Sequence, residues 1–299
     1  MPILILSEAD DDHGQYMHEH LESLGHDVVL FDARLFPKGL LLTYEPRSSG
    51  GLLHAPGARR IALADLTSVY WRSYGEPEAD DMGDAEATYI AQNDSRALVE
   101  SLFLRVNARW VNGFDAFRLH QTKPAALSMV AQAGVPTPAT LLTNDPDEVL
   151  RFVKVHPRCI HKPVQGGSHT RRLTAEHLTD EHLERLALAP ITLQEEVPGT
   201  NIRVFIAGER TFAAEIRTDA IDFRDDESAA VLATTVPPSV EAFCRTAAEL
   251  LKLKWTGIDL RRTPEGRYVF LEANPSPMFI TFERLSGLPL TDALTALLV

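Results

Sequence analysis

Apolar runs of strand length alternate with amphipathic segments of helix length in the first part of the chain. The run Ile3–Leu6 is followed by a helical pattern over residues 15–24, which Gly25 would end, and then by the run Val28–Phe31. This order predicts a βαβ unit. The first strand leads into the acidic segment 7–12 rather than into a G-x-G-x-x-G loop, so we exclude NAD or FAD binding at this point.

The mixed pattern continues towards the C-terminus. We expect a strand over residues 66–71, a helix over 89–106 and a helical segment over 117–133. The last segment should break at Thr122, because Pro124 is tolerated only in the first turn of a helix. The later expected elements are strands at 139–142, 159–163, 191–197, 203–207 and 211–216, and helices at 147–154, 175–186 and 240–251.

This order of elements indicates an α/β N-terminal domain followed by α+β lobes. We place the N-terminal domain at residues 1–113, a central lobe at 114–192 and a C-terminal lobe at 193–299. With 299 residues, 44% of them hydrophobic, the chain can bury the cores of two or three lobes.

Composition and charge exclude several classes of protein. The net charge of −13 argues against nonspecific nucleic-acid binding, because a phosphate backbone requires a basic surface. The sequence has no apolar run long enough to cross a bilayer and no basic leader at its start, so we expect no membrane partner and a cytoplasmic location. Two isolated cysteines are too few for a disulfide framework or a zinc cluster.

The segment 257–275 predicts a β-hairpin that carries metal ligands. A two-residue turn at residues 265–266 would place Asp259 opposite Glu272, and strand alternation puts Asn274 on the same face as Glu272. Two carboxylates and an amide oxygen suit Mg²⁺, which takes its remaining ligands from water and phosphates. The alternative is an ordinary exposed hairpin. However, Glu272 and Asn274 directly follow an apolar strand, where an uncompensated charge is costly.

Two further segments suggest nucleotide contacts. Lys162 lies at the end of an apolar strand, before a loop with two glycines, where a lysine and backbone N–H groups can meet a phosphate. The residue order excludes a P-loop, and a surface lysine beside a turn is the alternative. A short connector containing Gln194, Glu195, Glu196 and Val197 can offer backbone groups to an adenine edge and a carboxylate to a ribose hydroxyl.

A lysine at a strand end, a connector with Gln and Glu, and a hairpin with metal ligands, in this order along the chain, resemble the ATP-grasp superfamily. The resemblance covers nearly the whole chain. The segment 199–205 is similar to the G-x-D-I-R-V-F segment of the ribosomal-protein glutamate ligase branch, with Asn201 in place of the usual Asp. Segments 69–72, 110–112, 136–144 and 221–224 are similar to microviridin-type graspetide synthetases, including their N-terminal pre-ATP-grasp domain. The sequence departs from that pattern at residues 276–279.

The resemblance implies an ATP-grasp fold, ATP and Mg²⁺ as cofactors, with two ions expected, and a role for each candidate residue. Asp259, Glu272 and Asn274 would bind Mg²⁺, and Lys123 and Lys162 would contact phosphates. Gln194, Glu195 and Val197 would lie at the adenine, with Glu196 or Asn201 at the ribose. Arg203 and Arg217 would steady the transferred phosphoryl group, and Arg224 would bind a substrate carboxylate, although Arg217 and Arg224 could equally be surface residues.

The activity implied by the resemblance is that of an ATP-dependent carboxylate-amine or carboxylate-hydroxyl ligase acting through an acyl phosphate. We expect a maturase that forms side-chain esters or amides in a ribosomally made peptide. A ligase of free amino acids or other small carboxylates is the enzymatic alternative, and a nucleotide-binding scaffold without turnover is the non-enzymatic one. The resemblance also suggests a homodimer.

Overall fold

The computed structural model of the protein describes residues 2–48, 50–55, 59–165, 169–218, 226 and 228–299. The N-terminal domain holds a parallel sheet in the order β2-β1-β6-β7 and a small antiparallel sheet in the order β3-β4-β5. Its elements are β1 (Ile3–Leu6), α1 (Asp12–Ser23), β2 (Val28–Phe31), β3 (Leu41–Glu45), β4 (Gly50–Ala55), β5 (Arg59–Ala62), β6 (Ser68–Trp71), α2 (Ala85–Arg105) and β7 (Arg109–Val111). The βαβ start is confirmed, since β1 and β2 pair in parallel.

The central part of the chain contains a helix pair and a four-stranded antiparallel sheet in the order β10-β9-β11-β8. The break at Thr122 is confirmed, because it separates the two helices of the pair. The elements are α3 (Phe114–Gln121), α4 (Lys123–Gln132), β8 (Thr140–Thr143), α5 (Pro146–Val155), β9 (Cys159–Lys162), β10 (Arg171–Arg172), α6 (Asp180–Glu184) and β11 (Ile191–Glu195).

The single helix expected over residues 175–186 is wrong. The structure has a 3-10 turn at Ala175–Leu178, the short helix α6, and a second 3-10 turn at Arg185–Ala187. Thr179 interrupts the segment with an extended backbone, at φ −73° and ψ 151°. Its hydroxyl lies 2.9 Å from Nδ1 of His182. Such local side-chain bonds compete with the regular helical pattern.

The C-terminal lobe is built on a five-stranded antiparallel sheet in the order β14-β13-β12-β15-β16. Its elements are β12 (Thr200–Ala207), β13 (Arg210–Arg217), β14 (Ala230–Thr234), α7 (Pro238–Leu250), β15 (Trp255–Arg262), β16 (Tyr268–Asn274), α8 (Ile280–Ser286) and α9 (Leu290–Leu298). No helix in the described ranges is both long and apolar enough to cross a membrane. The division placed at 192/193 falls inside β11, which pairs with β8 and β9 up to Glu195.

The hairpin of β15 and β16 has the expected register at its ligands but not the expected turn. Asp259 pairs with Glu272, as the sequence predicts. The two-residue turn is wrong, because the Thr263 N–H donates to the Arg267 carbonyl at 2.8 Å and leaves residues 264–266 as the loop. Gly266 closes this loop at φ 82°. A register shift between Asp259 and Leu260 then restores the predicted pairing.

The boundaries of the hydrophobic cores do not coincide with the boundaries of the sheets. One core joins the N-terminal domain, through Ile5 and Tyr70, to the C-terminal lobe, through Phe205 and Trp255. Another joins Val130, from the helix pair, to the C-terminal sheet. The central sheet has a separate small core of its own, made by Val149, Leu183, Leu186 and Leu193.

Asn112 fastens the N-terminal domain to the hairpin strands. Its side chain is fully buried, and its amide nitrogen donates to the carbonyls of Trp255 and Pro275, both at 2.7 Å. Its oxygen accepts from the backbone N–H groups of Lys254, at 2.7 Å, and Trp255, at 3.2 Å. One side chain therefore holds the start of β15 and the end of β16 together.

Arg72 makes a second connection between the same two regions. Its Nε donates to Asp11 at 2.8 Å, and its Nη1 donates to the backbone oxygen and the hydroxyl of Ser276, at 2.7 and 2.9 Å. Asp11 also accepts from the backbone N–H of Gly14 and so caps α1. The unusual segment after the hairpin is thereby anchored to the N-terminal domain through Ser276.

We expect Asn112→Ala to lower the free energy of unfolding by at least about 2 kcal/mol, because it leaves buried backbone groups without their partner. Urea denaturation monitored by circular dichroism measures this. Asn107→Ala, at an exposed position between α2 and β7, is the control and should change stability by less than about 0.5 kcal/mol. Equal effects of the two substitutions would contradict a fastening role for Asn112.

We expect His13 to make the fold sensitive to mild acid. His13 is 6% exposed and packs 5.0 Å from the Phe279 ring, and burial together with the nearby Arg72 charge lowers its pKa from 6.5 to about 4. The unfolded chain therefore gains a proton below about pH 6.5, whereas the folded chain gains it only near about pH 4. Stability attributable to His13 should fall by about 1 kcal/mol between about pH 6 and about pH 5.

Urea denaturation of the wild type and of His13→Asn at both pH values tests this expectation. The wild type should lose more stability than the variant on acidification. The same loss in both proteins would show that His13 titrates normally in the fold.

Candidate active site

A cleft of about 680 Å³ opens between the central sheet, the α3–α4 helix pair and β16. Four of the candidate residues line it: Lys123, Lys162, Gln194 and Glu272. The remainder of the lining is mostly apolar and includes Leu119, Leu142, Val164, Leu253, Phe270 and Leu271. That volume includes open solvent, so the lining rather than the size points to a ligand: an apolar cleft with a few converging polar groups is typical of small-molecule sites.

Lys123 and Glu272 form an ion pair in the cleft. Lys123 is the first residue of α4, and its Nζ lies 3.0 Å from Oε2 of Glu272 on β16. Burial raises the pKa of Glu272, but the Lys123, Lys162 and Arg203 cations together outweigh this effect and hold that pKa below its usual value. Glu272 is therefore ionised at neutral pH, as a metal ligand must be.

Lys162 enters the cleft from the end of β9. Its Nζ donates to Oε1 of Gln194 at 3.4 Å, and Gln194, which is 2% exposed, donates in turn to the hydroxyl of Thr140 at 2.9 Å. Burial lowers the pKa of Lys162, and the negative charge of Glu272 opposes this effect. A cation held in a largely desolvated cleft by a neutral amide is well suited to bind a phosphate.

Asp259 pairs with Arg203 on the neighbouring strand. The contact is bidentate, with Nε to Oδ1 at 2.5 Å and Nη2 to Oδ2 at 3.0 Å, and Arg203 is 8% exposed. The guanidinium carbon lies 5.1 Å from the centre of the Phe282 ring. Gly257 leaves room for this arrangement, since a Cβ there would stand 3.1 Å from Nη1 of Arg203 and 2.8 Å from Pro277.

The three expected metal ligands share one face of the C-terminal sheet. Asp259 pairs with Glu272, and Asn274 pairs with Gly257, two residues earlier on β15. Oδ1 of Asn274 also accepts from the backbone N–H of Ser276 at 2.9 Å. Across the described part of the chain, no three His, Cys, Asp or Glu side chains are grouped to hold a metal. Two carboxylates and an amide, a set of hard oxygen donors, nevertheless fit Mg²⁺.

The two glutamates of the connector are engaged with the central lobe. Glu195 lies 3.5 Å from Nδ1 of His156. Glu196 accepts from Arg172 at 2.7 Å and from Arg158 at 3.3 Å, and the bond from Arg172 lowers its pKa. Both carboxylates are thus held beside the connector rather than extended into solvent.

Val197 and Asn201 are joined by a residue that the sequence did not single out, Arg261. Its Nε donates to the Val197 carbonyl at 3.0 Å, and its Nη1 donates to Oδ1 of Asn201 at 2.7 Å. Burial lowers the pKa of Arg261. This side chain therefore connects the connector, β12 and β15.

The structure does not bring Arg217 to the other candidates. On β13, Ala214 pairs with Arg203, so Glu215 and Arg217 lie out of phase with the face that carries Asp259. The Arg217 side chain is 64% exposed and pairs with Glu215 at 2.7 Å. Arg224 lies outside the described residues.

Sequence reasoning also missed His120, which lines the cleft from α3. Burial, together with the charge of Lys123, lowers the pKa of His120. Its place three residues before the candidate Lys123 was the available signal, but the break at Thr122 lies between them, so helical spacing does not put them on one face. Thr140 had no comparable signal.

The sequence and the fold have clear relatives. Residues 120–298 match the model of the RimK-like ATP-grasp domain, which is more than half of the chain. A probable alpha-L-glutamate ligase of Marinobacter nauticus is 31% identical over 190 residues, and one of Legionella pneumophila is 28% identical over 198 residues. These matches span 59% and 60% of the chain and 62% and 63% of the relatives, or about three fifths of each protein.

Solved structures match over the whole length. The ATP-grasp ligase PsnB, in a complex with a precursor variant, Mg and ADP, has a TM-score of 0.86 and 31% identity, covering 99% of this chain and 98% of PsnB. The macrocyclase MdnC of Microcystis aeruginosa has a TM-score of 0.86 at 24% identity, covering 100% and 99% of the two chains, which shows a shared fold. The expected α/β and α+β fold class is confirmed, and the chain belongs to the RimK-like ATP-grasp family, with an α/β domain in front of the ATP-grasp lobes.

Proposed function

We propose that the chain is an ATP-dependent ligase that joins side chains of a ribosomally made peptide. It activates an Asp or Glu carboxylate as an acyl phosphate and transfers the acyl group to a hydroxyl or an amine. The observation that carries this proposal is the extent of the similarity to PsnB. At 31% identity over 99% of this chain, that similarity extends through the N-terminal domain, and PsnB has been solved with a precursor and with Mg and ADP.

The alpha-L-glutamate ligases supply the second candidate function, addition of free glutamate or a similar small carboxylate. They are favoured by the family model and by the matched curated relatives. However, these matches leave about two fifths of this chain uncovered, whereas the match to PsnB covers 99% of it. We therefore place the peptide maturase first.

Mg²⁺ would be held by Asp259, Glu272 and Asn274, and would neutralise charge on the phosphates when bound. The oxygen donors fit it, and the two carboxylates already lie beside cations that phosphates can attract away. Lys123 and Lys162 would then bind the phosphates. The connector would receive the adenine at Glu195 and Val197, with Glu196 or Asn201 at the ribose.

The chemistry requires positioning and charge neutralisation rather than a nucleophile from the protein. A carboxylate oxygen of the substrate attacks the γ-phosphorus and ADP leaves. A hydroxyl or amine of the substrate then attacks the acyl carbon, loses its proton, and inorganic phosphate leaves. Arg203, which lies over the Phe282 ring, is positioned to steady the negative charge that shifts between these groups.

Glu272→Gln should reduce ADP formation by at least about 100-fold while leaving the fold intact, because it removes a charge from the metal site. A coupled assay for ADP with purified protein, Mg²⁺ and a candidate peptide measures this. Glu265→Gln is the matched control, since it changes a glutamate in the turn of the same hairpin. Normal turnover by Glu272→Gln would overturn the metal assignment.

Incubation of the protein with ATP, Mg²⁺ and a peptide rich in Thr, Ser, Glu and Asp tests the substrate class. A maturase should remove one water from the peptide for each linkage and release one ADP, as measured by mass spectrometry and an ADP assay. Condensation of free glutamate onto a separate acceptor would favour the second candidate. Nucleotide binding with no ADP from any substrate would favour a scaffold.

A further inference from the structure

Two adjacent arginines on β15 point to opposite faces of the C-terminal sheet. Arg262 pairs with Glu215 at 2.9 Å, on the face away from the metal ligands. Arg261 pairs in register with Asn201 and lies two residues from Asp259, so it shares the face of the candidate active site. The chain therefore contains a functional candidate and its matched control side by side.

Arg261 differs from Arg262 in what compensates its charge. Its Nε and Nη1 donate to two neutral oxygens, the Val197 carbonyl at 3.0 Å and Oδ1 of Asn201 at 2.7 Å. Burial lowers its pKa. A partly buried guanidinium bound in this way forms no strong ion pair. It fixes the relative positions of its two acceptors, because its planar fork binds both at once.

The segment that Arg261 holds is the passage from β11 to β12. It contains Pro198 and Gly199, and Gly199 has φ 129°, where a Cβ would approach the Arg262 carbonyl oxygen to 2.0 Å. This backbone passes from the central sheet to the C-terminal sheet within residues 196–199. The backbone N–H groups of Glu195 and Glu196 are held by the Ala139 and Arg158 carbonyls, both at 2.9 Å, and Arg261 adds a third point of attachment at Val197. This restricts the orientations in which the connector's peptide groups can face a base.

We propose that Arg261 is a positioning residue for the nucleoside half of ATP. It fixes the Val197 end of the connector against β12, so that the connector's backbone groups meet the adenine in one orientation. This inference rests on the proposed ATP-dependent function. It assigns Arg261 no contact with the metal or with the phosphates.

Hydrogen exchange and nucleotide binding in Arg261→Met and Arg262→Met test the proposal. Without nucleotide, backbone amides in residues 195–200 should exchange at least about tenfold faster in Arg261→Met than in the wild type. Their exchange rates in Arg262→Met should equal those of the wild type. Calorimetry should show affinity for MgATP falling by at least about tenfold in Arg261→Met only. Affinity for Mg-tripolyphosphate, which has no nucleoside, should stay within about twofold of the wild type.

The outcomes separate this inference from the proposed function. A wild type that binds no MgATP would contradict the function itself. If the wild type binds MgATP, then unchanged exchange or unchanged affinity in Arg261→Met overturns the role of Arg261. An equal loss of ATP and tripolyphosphate binding also overturns it, because the effect would then lie at the phosphates. If Arg261→Met does not fold, Arg261→Lys, which keeps the charge but loses the fork, takes its place with the same criteria.

Discussion

Pairing of each cleft carboxylate with a cation from another element is the interaction on which the site depends. Asp259 and Glu272 face each other across two strands, and two such anions in a partly desolvated place would repel each other. Arg203 from β12 and Lys123 from α4 compensate them. For the Arg203–Asp259 pair, whose arginine side chain is 9% exposed, removing one partner would leave a buried charge unpaired, which costs more than the pair itself contributes.

The same pairing links the ligand face to distant parts of the chain. Lys123 is available only because the helical segment breaks at Thr122 and restarts towards the cleft. Arg203 is available only because Gly257 has no side chain beneath it. A triphosphate that attracts both cations would free both carboxylates for a divalent ion, so we expect the nucleotide and the ion to assist each other's binding.

The sequence predicted the chemistry better than the geometry. The pairing of Asp259 with Glu272 was correct although the turn was not, because a longer loop and a bulge have opposite effects on the register. Arg217 was grouped with Arg203 because the sequence of one strand shows which residues share a face. It does not show which of the two faces borders the site. Arg261 was missed because its role comes from Val197, a partner more than sixty residues away whose carbonyl has no signature in the sequence. The segment after the hairpin, where the sequence departs from the graspetide synthetase pattern, is anchored at Ser276 by Arg72.

The division of the hydrophobic cores has a mechanical consequence. The N-terminal domain and the C-terminal lobe share one core and are also joined through Asn112, so we expect them to move as one body despite their different folds. The central sheet keeps its own small core and is joined to the C-terminal sheet through the residues of the connector. Both ion pairs of the site lie outside the central sheet, because the helix pair that carries Lys123 shares a core with the C-terminal sheet. A swing of the central sheet would therefore leave these pairs and the cores intact. We expect the central sheet, which has the smallest core, to be the part that moves and the first to unfold, while the three expected metal ligands stay on the larger body.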